Sequence, residues 1–309
     1  MSSSTSFSQN NKNDSLEHYN ITDKLSSSKY SVYKGFNTQL SQEVALKFFP
    51  FNGFTDKNYS NEVANLKKLN HPNIIKMIEN VPESSAVLER EEKQVSYISF
   101  EYAAHGDLFE VISKHGRMPE IICRTLFRQL VEATEYMHSQ DVAHLDLKLE
   151  NLLFDKDCNI KITDFDLSQS MESTYLIARG TPGYRAPEVK KGVCYNFKAA
   201  DVYSLATILF IMITGTPAYA EVNKGLGLEF DGFYKLMRKN NKKFWELHAS
   251  YKNDPDFYSE DLIDLINGML IEEPRQRLTL EDVKNSKWYQ GPVLDKETYQ
   301  TQIKEYIQN

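Results

Sequence analysis

Apolar and polar positions change period about a third of the way along the chain. From residue 19 to about 49, β-branched and aromatic residues alternate with polar ones, the period of half-buried strands. Between residues 59 and 69, Val63, Leu66 and Leu69 share one face and predict a helix. His71-Pro72-Asn73 ends it, because proline disfavours helical backbone at the residue before it. Strand patterns return at 74–78, 86–90 and 95–100. From Asp107 the period turns helical, over 108–114, 120–139, 200–214, 232–239 and 260–270. Strands first and helices after predict an α+β chain of two lobes with a cleft between them. Residues 1 to about 16 are Ser/Asn-rich with almost no apolar content and are expected to be disordered.

Composition narrows the classes. The 309 residues are 41% hydrophobic, enough for a full core. A net charge of −7 argues against nucleic acid as a partner, since phosphate binding needs a basic footprint. Cys123, Cys158 and Cys194 are far apart, fit a reducing compartment and form no metal pattern. The longest apolar run, 205–213, is too short to span a bilayer and reads as a buried helix. No signal peptide is visible, and Ser2 follows Met1, so myristoylation is not expected. A cytoplasmic protein without a membrane partner is the expectation; oligomeric state and access to the nucleus stay open.

The chemistry concentrates in His144-Leu-Asp-Leu-Lys-Leu-Glu-Asn151 and Asp164-Phe-Asp166. Leu152, Leu153 and Phe154 read as a short buried strand, Asp155-Lys-Asp157 as a turn, and 159–163 as a returning strand. Such a hairpin brings Asp164 back beside Asn151. The outcome is one acid for a substrate proton, one ammonium, and an amide–carboxylate pair able to hold Mg²⁺ through oxygen. Phosphoryl transfer needs that set, because it rests on positioning and charge neutralisation.

The string resembles the catalytic and metal loops of eukaryotic protein kinases. By that resemblance Asp146 accepts the proton of the attacking hydroxyl, Lys148 neutralises the γ-phosphate, and Asn151 and Asp164 hold Mg²⁺. Val44-Ala45-Leu46-Lys47 is similar to the family's V-A-I-K strand, so Lys47 would reach the α- and β-phosphates of ATP, with Glu62 as its partner. Ala45 and Leu153 would sandwich the adenine. Phe100-Glu101-Tyr102-Ala103 resembles the hinge, where Glu101 C=O and the Ala103 backbone would bond the adenine edge. The stretch 25–33 stands in place of the glycine-rich loop, with serines for glycines and one residue short; Leu25, Ser26, Ser27, Ser28 and Val32 would line the nucleotide. A serine forced into left-handed backbone costs roughly 1–2 kcal/mol, or about ten- to thirty-fold in rate. Asp107 and Glu150 would select basic residues shortly before the acceptor, although Asp107 also reads as a helix cap.

Arg179-Gly-Thr181-Pro-Gly-Tyr184 is similar to the Ser/Thr-kinase G-T-P-x-Y motif, in which Thr181 bridges Asp146 and Lys148. Leu145 replaces the family's Arg and Asp166 its Gly. Ile177 stands where a phosphothreonine would pair with that Arg, so both halves of the switch are missing and dependence on phosphorylation at Thr174 or Tyr175 is not expected. Asp201 would support the catalytic loop, Glu188 and Arg277 would form a buried pair, and Trp288 would anchor the end. The implied layout is a disordered tail over 1–18, N-lobe and hinge over 19–103, C-lobe over 104–291 and a tail over 292–309 without a calmodulin-type helix. That is the two-lobed protein kinase fold: a small antiparallel-sheet N-lobe with one main helix and a larger, mainly helical C-lobe. The resemblance is to the calmodulin-dependent and AMP-activated group and implies a Ser/Thr protein kinase using ATP and Mg²⁺ on protein substrates near basic residues. The rival is a pseudokinase, a nucleotide-binding scaffold, favoured by the serine loop, Leu145 and Asp166. A small-molecule kinase is disfavoured by the peptide-type segment around Thr181.

Overall fold

The alternating first third folds as six antiparallel strands: β1 (Ser15–Leu16), β2 (Tyr19–Ser27), β3 (Ser31–Asn37), β4 (Gln42–Pro50), β5 (Met77–Leu88) and β6 (Glu91–Glu101). They close into a barrel in the order β1-β2-β3-β4-β6-β5. The structure, a computed structural model, describes residues 14–27, 29–171, 179–223, 228–254 and 257–308. The chain divides into two units, Met1–Lys67 with Lys76–Tyr102, and Lys68–Ile75 with Ala103–Asn309.

In the first unit, inward positions of the alternation (Tyr33, Val44, Leu46, Phe48, Val95 and Tyr97) fill the barrel. Helix α1 (Lys57–Leu66) starts where Asp56 accepts the N–H groups of Asn58 and Tyr59, satisfying donors that have no partner inside the helix. It ends at Leu66, short of the expected 69. The strands expected at 74–78 and 86–90 are replaced by the single strand β5, whose register against β6 shifts between Val81 and Ser84. Pro82 lies in that gap and cannot donate to the ladder, so the alternation breaks without ending the strand. Part of the expected disordered tail is ordered: Ser15–Leu16 pairs with β2 and β5, and Leu16 is 1% exposed. Burying one leucine is worth about 1.5–3 kcal/mol, enough to hold a short strand. Residues 1–13 lie outside the described residues.

The second unit carries α2 (Leu108–His115), α3 (Glu120–Ser139), the hairpin β7 (Leu152–Phe154) and β8 (Ile160–Ile162), then α4 (Pro187–Lys190) and α5 (Phe197–Thr214). A small hairpin follows, β9 (Glu221–Asn223) and β10 (Leu228–Phe230). Then come α6 (Gly232–Lys239), α7 (Asn241–Ser250), α8 (Glu260–Met269), α9 (Leu280–Asn285), α10 (Lys287–Gln290) and α11 (Lys296–Gln308). Helix α5 is apolar all round and long enough to cross a membrane by composition, yet 94% of it is buried inside the unit, as a central core helix must be. Arg277 donates to both Glu188 carboxylate oxygens at 2.7 and 3.0 Å, and to the carbonyls of Ala199, Ile271 and Glu272. Trp288 is buried against the Arg124 guanidinium. The segment read as a polar C-terminal tail is the helix α11. It docks through buried Tyr299 and Ile303, and the Tyr299 hydroxyl donates to Cys158 O at 3.0 Å. Two apolar residues four apart are too short a stripe to stand out in a polar stretch.

Candidate active site

The loop before β7 is pinned from beneath. The Asp201 carboxylate, fully buried, accepts the N–H groups of His144 at 2.9 Å and Leu145 at 2.8 Å and bonds His138 Nε2 at 2.9 Å. His144 Nδ1 accepts the Asp146 N–H at 3.2 Å, so the ring proton sits on Nε2, which donates to Thr163 O at 3.0 Å. One imidazole thereby ties the acid's loop to the strand that leads to Asp164. Leu145 is buried with φ +64°, a costly geometry for leucine that its own N–H and that of His144, both bonded to Asp201, over-determine. Gly180 is required beside it: φ is +77°, and a Cβ there would lie 2.8 Å from Leu145 O.

The Asp146 carboxylate is bonded through both oxygens. Oδ1 accepts the Thr181 N–H at 2.8 Å and the Thr181 hydroxyl at 2.7 Å. Oδ2 accepts Lys148 Nζ at 2.9 Å, and the same ammonium donates to Thr181 Oγ1 at 3.0 Å. Burial alone would lower the Lys148 pKa, but the charges of Asp146, Asp164 and Glu150 outweigh it, and the net shift is upward. The bridge expected of Thr181 is therefore present in full.

Asn151 closes a 3₁₀ turn, Leu149–Asn151, that leads into β7. Leu152 faces Ile162 across the hairpin, and the Thr163 N–H donates to Asn151 O at 3.0 Å, which sets Asp164 next to Asn151. The Asn151 amide nitrogen donates to Asp146 O at 2.9 Å, leaving its amide oxygen as the atom a hard cation would take. An amide oxygen and a carboxylate suit Mg²⁺, which is bound by one or two such groups together with phosphates rather than by a protein cage. Asp164 has φ +68°, the left-handed region. Asp166 stands where the family has glycine, the residue that most readily enters that region. Among the described residues of this turn only Asp164 does, so Asp166 forces no backbone strain here. Phe165, fully buried, packs edge-on against the His144 ring at 4.9 Å.

In the first unit Lys47 Nζ lies 2.7 Å from Glu62 Oε2, and both residues are buried. Ala45 shares the Lys47 face of β4, since alternate residues point the same way, and Val32 is paired directly with Lys47. The strand pairing runs through Ser27 and Ser31. None of the described residues from Leu25 to Ser31 has positive φ, so the left-handed penalty expected of the serines does not arise among them. Ser28 lies outside the described residues, as do Thr174, Tyr175 and Ile177. Glu101 sits at the end of β6, its N–H bonded to Lys76 O, and its carboxylate accepts the Lys76 N–H. In the second unit Ala103 opens the chain after β6, and Leu153 is half-buried on β7. Asp107 caps α2 by accepting the Glu110 N–H at 2.8 Å, so the helix-cap reading holds; burial raises its pKa.

Two residues escaped sequence reading. Glu221, on β9, has a fully buried carboxylate that takes Arg185 at 2.9 Å, Lys190 at 3.0 Å and the Gly183 N–H at 3.2 Å. Burial would raise its pKa, but these partners outweigh it and the net shift is downward. It secures the segment that follows Thr181. Asp141 accepts Ser170 Oγ and the Met171 N–H, securing the stretch after Asp166 that precedes Thr181. Neither belongs to a local motif; both partners are distant in the chain.

The sequence model of the protein kinase domain matches residues 19–289. A probable serine/threonine-protein kinase MARK-C of Dictyostelium discoideum is 31% identical over 276 residues, 87% of this chain and 33% of that protein. CBL-interacting protein kinase 11 of Oryza sativa subsp. japonica is 31% identical over 288 residues, 90% of this chain and 52% of that protein. The chain thus spans about a third to about half the length of these relatives.

Proposed function

Because the chain belongs to the protein kinase domain family, we propose that it transfers the γ-phosphate of ATP to serine and threonine hydroxyls of proteins. The observation that carries this is the closed set of bonds joining Asp146, Lys148 and Thr181. A carboxylate held on both oxygens presents a fixed acceptor for the hydroxyl proton as the oxygen attacks phosphorus and the bond to ADP breaks. Lys148, between Asp146 and Thr181, supplies positive charge where the transferred phosphoryl group gathers negative charge. Lys47, oriented by Glu62, would neutralise the α- and β-phosphates. Asn151 and Asp164 would hold Mg²⁺, whose contribution is to offset phosphate charge and fix the γ-phosphate.

A preference for basic substrates is part of this proposal. Asp107, Glu110 and Glu150 are carboxylates close enough to interact, and Glu150 Oε2 is buried with no hydrogen-bond partner among the described residues. A lysine or arginine side chain would satisfy that oxygen. A peptide library with no basic preference before the acceptor would remove this part alone.

The scaffold reading loses support where it was strongest. The serines impose no left-handed backbone among the described residues, and neither Leu145 nor Asp166 displaces the bonds around Asp146. The test is γ-phosphate transfer to a generic protein by wild type and Asp146→Asn. Loss of about 10²- to 10⁴-fold in the variant is expected; equal transfer by both, or none by either, overturns the proposal.

A further inference from the structure

The turn between β2 and β3 carries Tyr30, whose ring meets Lys29 Nζ at 4.9 Å and also reaches toward the Lys47–Glu62 pair. The Tyr30 ring lies 4.4 Å from the Phe49 ring, centroid to centroid, and 5.6 Å from Lys47 Nζ. Phe49, fully buried on β4, is itself 5.3 Å from Lys47 Nζ and meets Tyr59 of α1 edge-on at 5.4 Å. The Tyr30 hydroxyl donates to Asp56 Oδ1 at 3.1 Å, the same oxygen that caps the start of α1. Glu62 lies on that helix.

We propose that Tyr30 is a positioning residue for the Lys47–Glu62 pair, holding the ammonium through its ring and the helix that bears Glu62 through its hydroxyl. The proposal rests on the kinase reading for its activity arm. A lysine Nζ on a flexible stem is placed only as well as its surroundings allow. A ring beside it attracts the charge and limits its excursions, while a hydroxyl on the helix cap resists rotation of α1 away from β4. Glycine in that turn could do neither.

Two measurements test it. In the first, Lys47 is acetylated with an amine-reactive ester and followed by peptide mass spectrometry, a readout independent of activity. Tyr30→Ala should speed labelling of Lys47 several-fold over wild type, with lysines distant from the turn unchanged. In the second, Tyr30→Phe should lower kcat about three- to tenfold while KM for ATP stays within about twofold, and should cause no further loss in a Glu62→Gln background. Tyr30→Phe keeps the ring packed on Phe49, so its folding is not at issue. Unchanged Lys47 labelling in Tyr30→Ala, or an additive loss in the double variant, overturns the proposal. If wild type transfers no phosphate, the activity reading fails by itself and the labelling arm still decides the role of Tyr30.

Discussion

Thr181 gives both its backbone N–H and its hydroxyl to one oxygen of Asp146, Oδ1, at 2.8 and 2.7 Å. The other oxygen is left to Lys148. The acid is oriented by a residue 35 positions away, so the segment containing Thr181 must be in place before the acid is.

Thr181→Val removes the hydroxyl and keeps the N–H and the branched shape. A hydrogen bond to a charged group is worth about 1.5–3 kcal/mol, so kcat should fall roughly ten- to a hundredfold. Thr181→Ser should restore most of it. Steady-state kinetics with a peptide substrate would show both.

Arg277→Ala should cost stability rather than chemistry. The guanidinium is buried, bonded to Glu188 and three carbonyls, and its loss strands a buried carboxylate. A loss of about 3–5 kcal/mol in urea unfolding is expected, with specific activity of the folded fraction close to wild type.

His248 makes stability pH-dependent. It is buried among Phe210, Phe233 and Phe244, and burial, aided by the Lys252 charge, lowers its pKa to about 4. The unfolded imidazole binds its proton near pH 6.5, roughly, before the folded one does. Stability present above that pH is therefore lost as pH falls toward about 4, by about 3 kcal/mol in all. Urea unfolding at about pH 7 and about pH 5 should show a difference near 2 kcal/mol, roughly, that His248→Leu removes.

Helix α11 is a structural brace. Ile303 is fully buried, and Ile303→Ala should cost about 2–5 kcal/mol. Deleting residues 296–308 should lower the melting temperature and leave activity per folded molecule no higher than wild type. A rise in activity would mark the helix as inhibitory instead.

The motifs and the switch from strand to helix periods were legible in the chain because each depends on neighbours a few residues away. Asp146, Lys148, Asn151 and Asp164 stand at spacings that local turns and one short hairpin convert into neighbouring positions, whereas Thr181, 35 positions from Asp146, was read from its motif and not from its spacing. What the sequence could not reveal came from distant partners. The carboxylate of Glu221, the docking of α11 on Cys158 O, the left-handed backbone at Asp164 rather than Asp166, and the reach of Tyr30 to Asp56 all arise when segments pack together. A single buried carboxylate or a lone tyrosine carries no periodic signal. Its role exists only once tertiary packing removes water from around it and brings a specific donor or ring within contact distance.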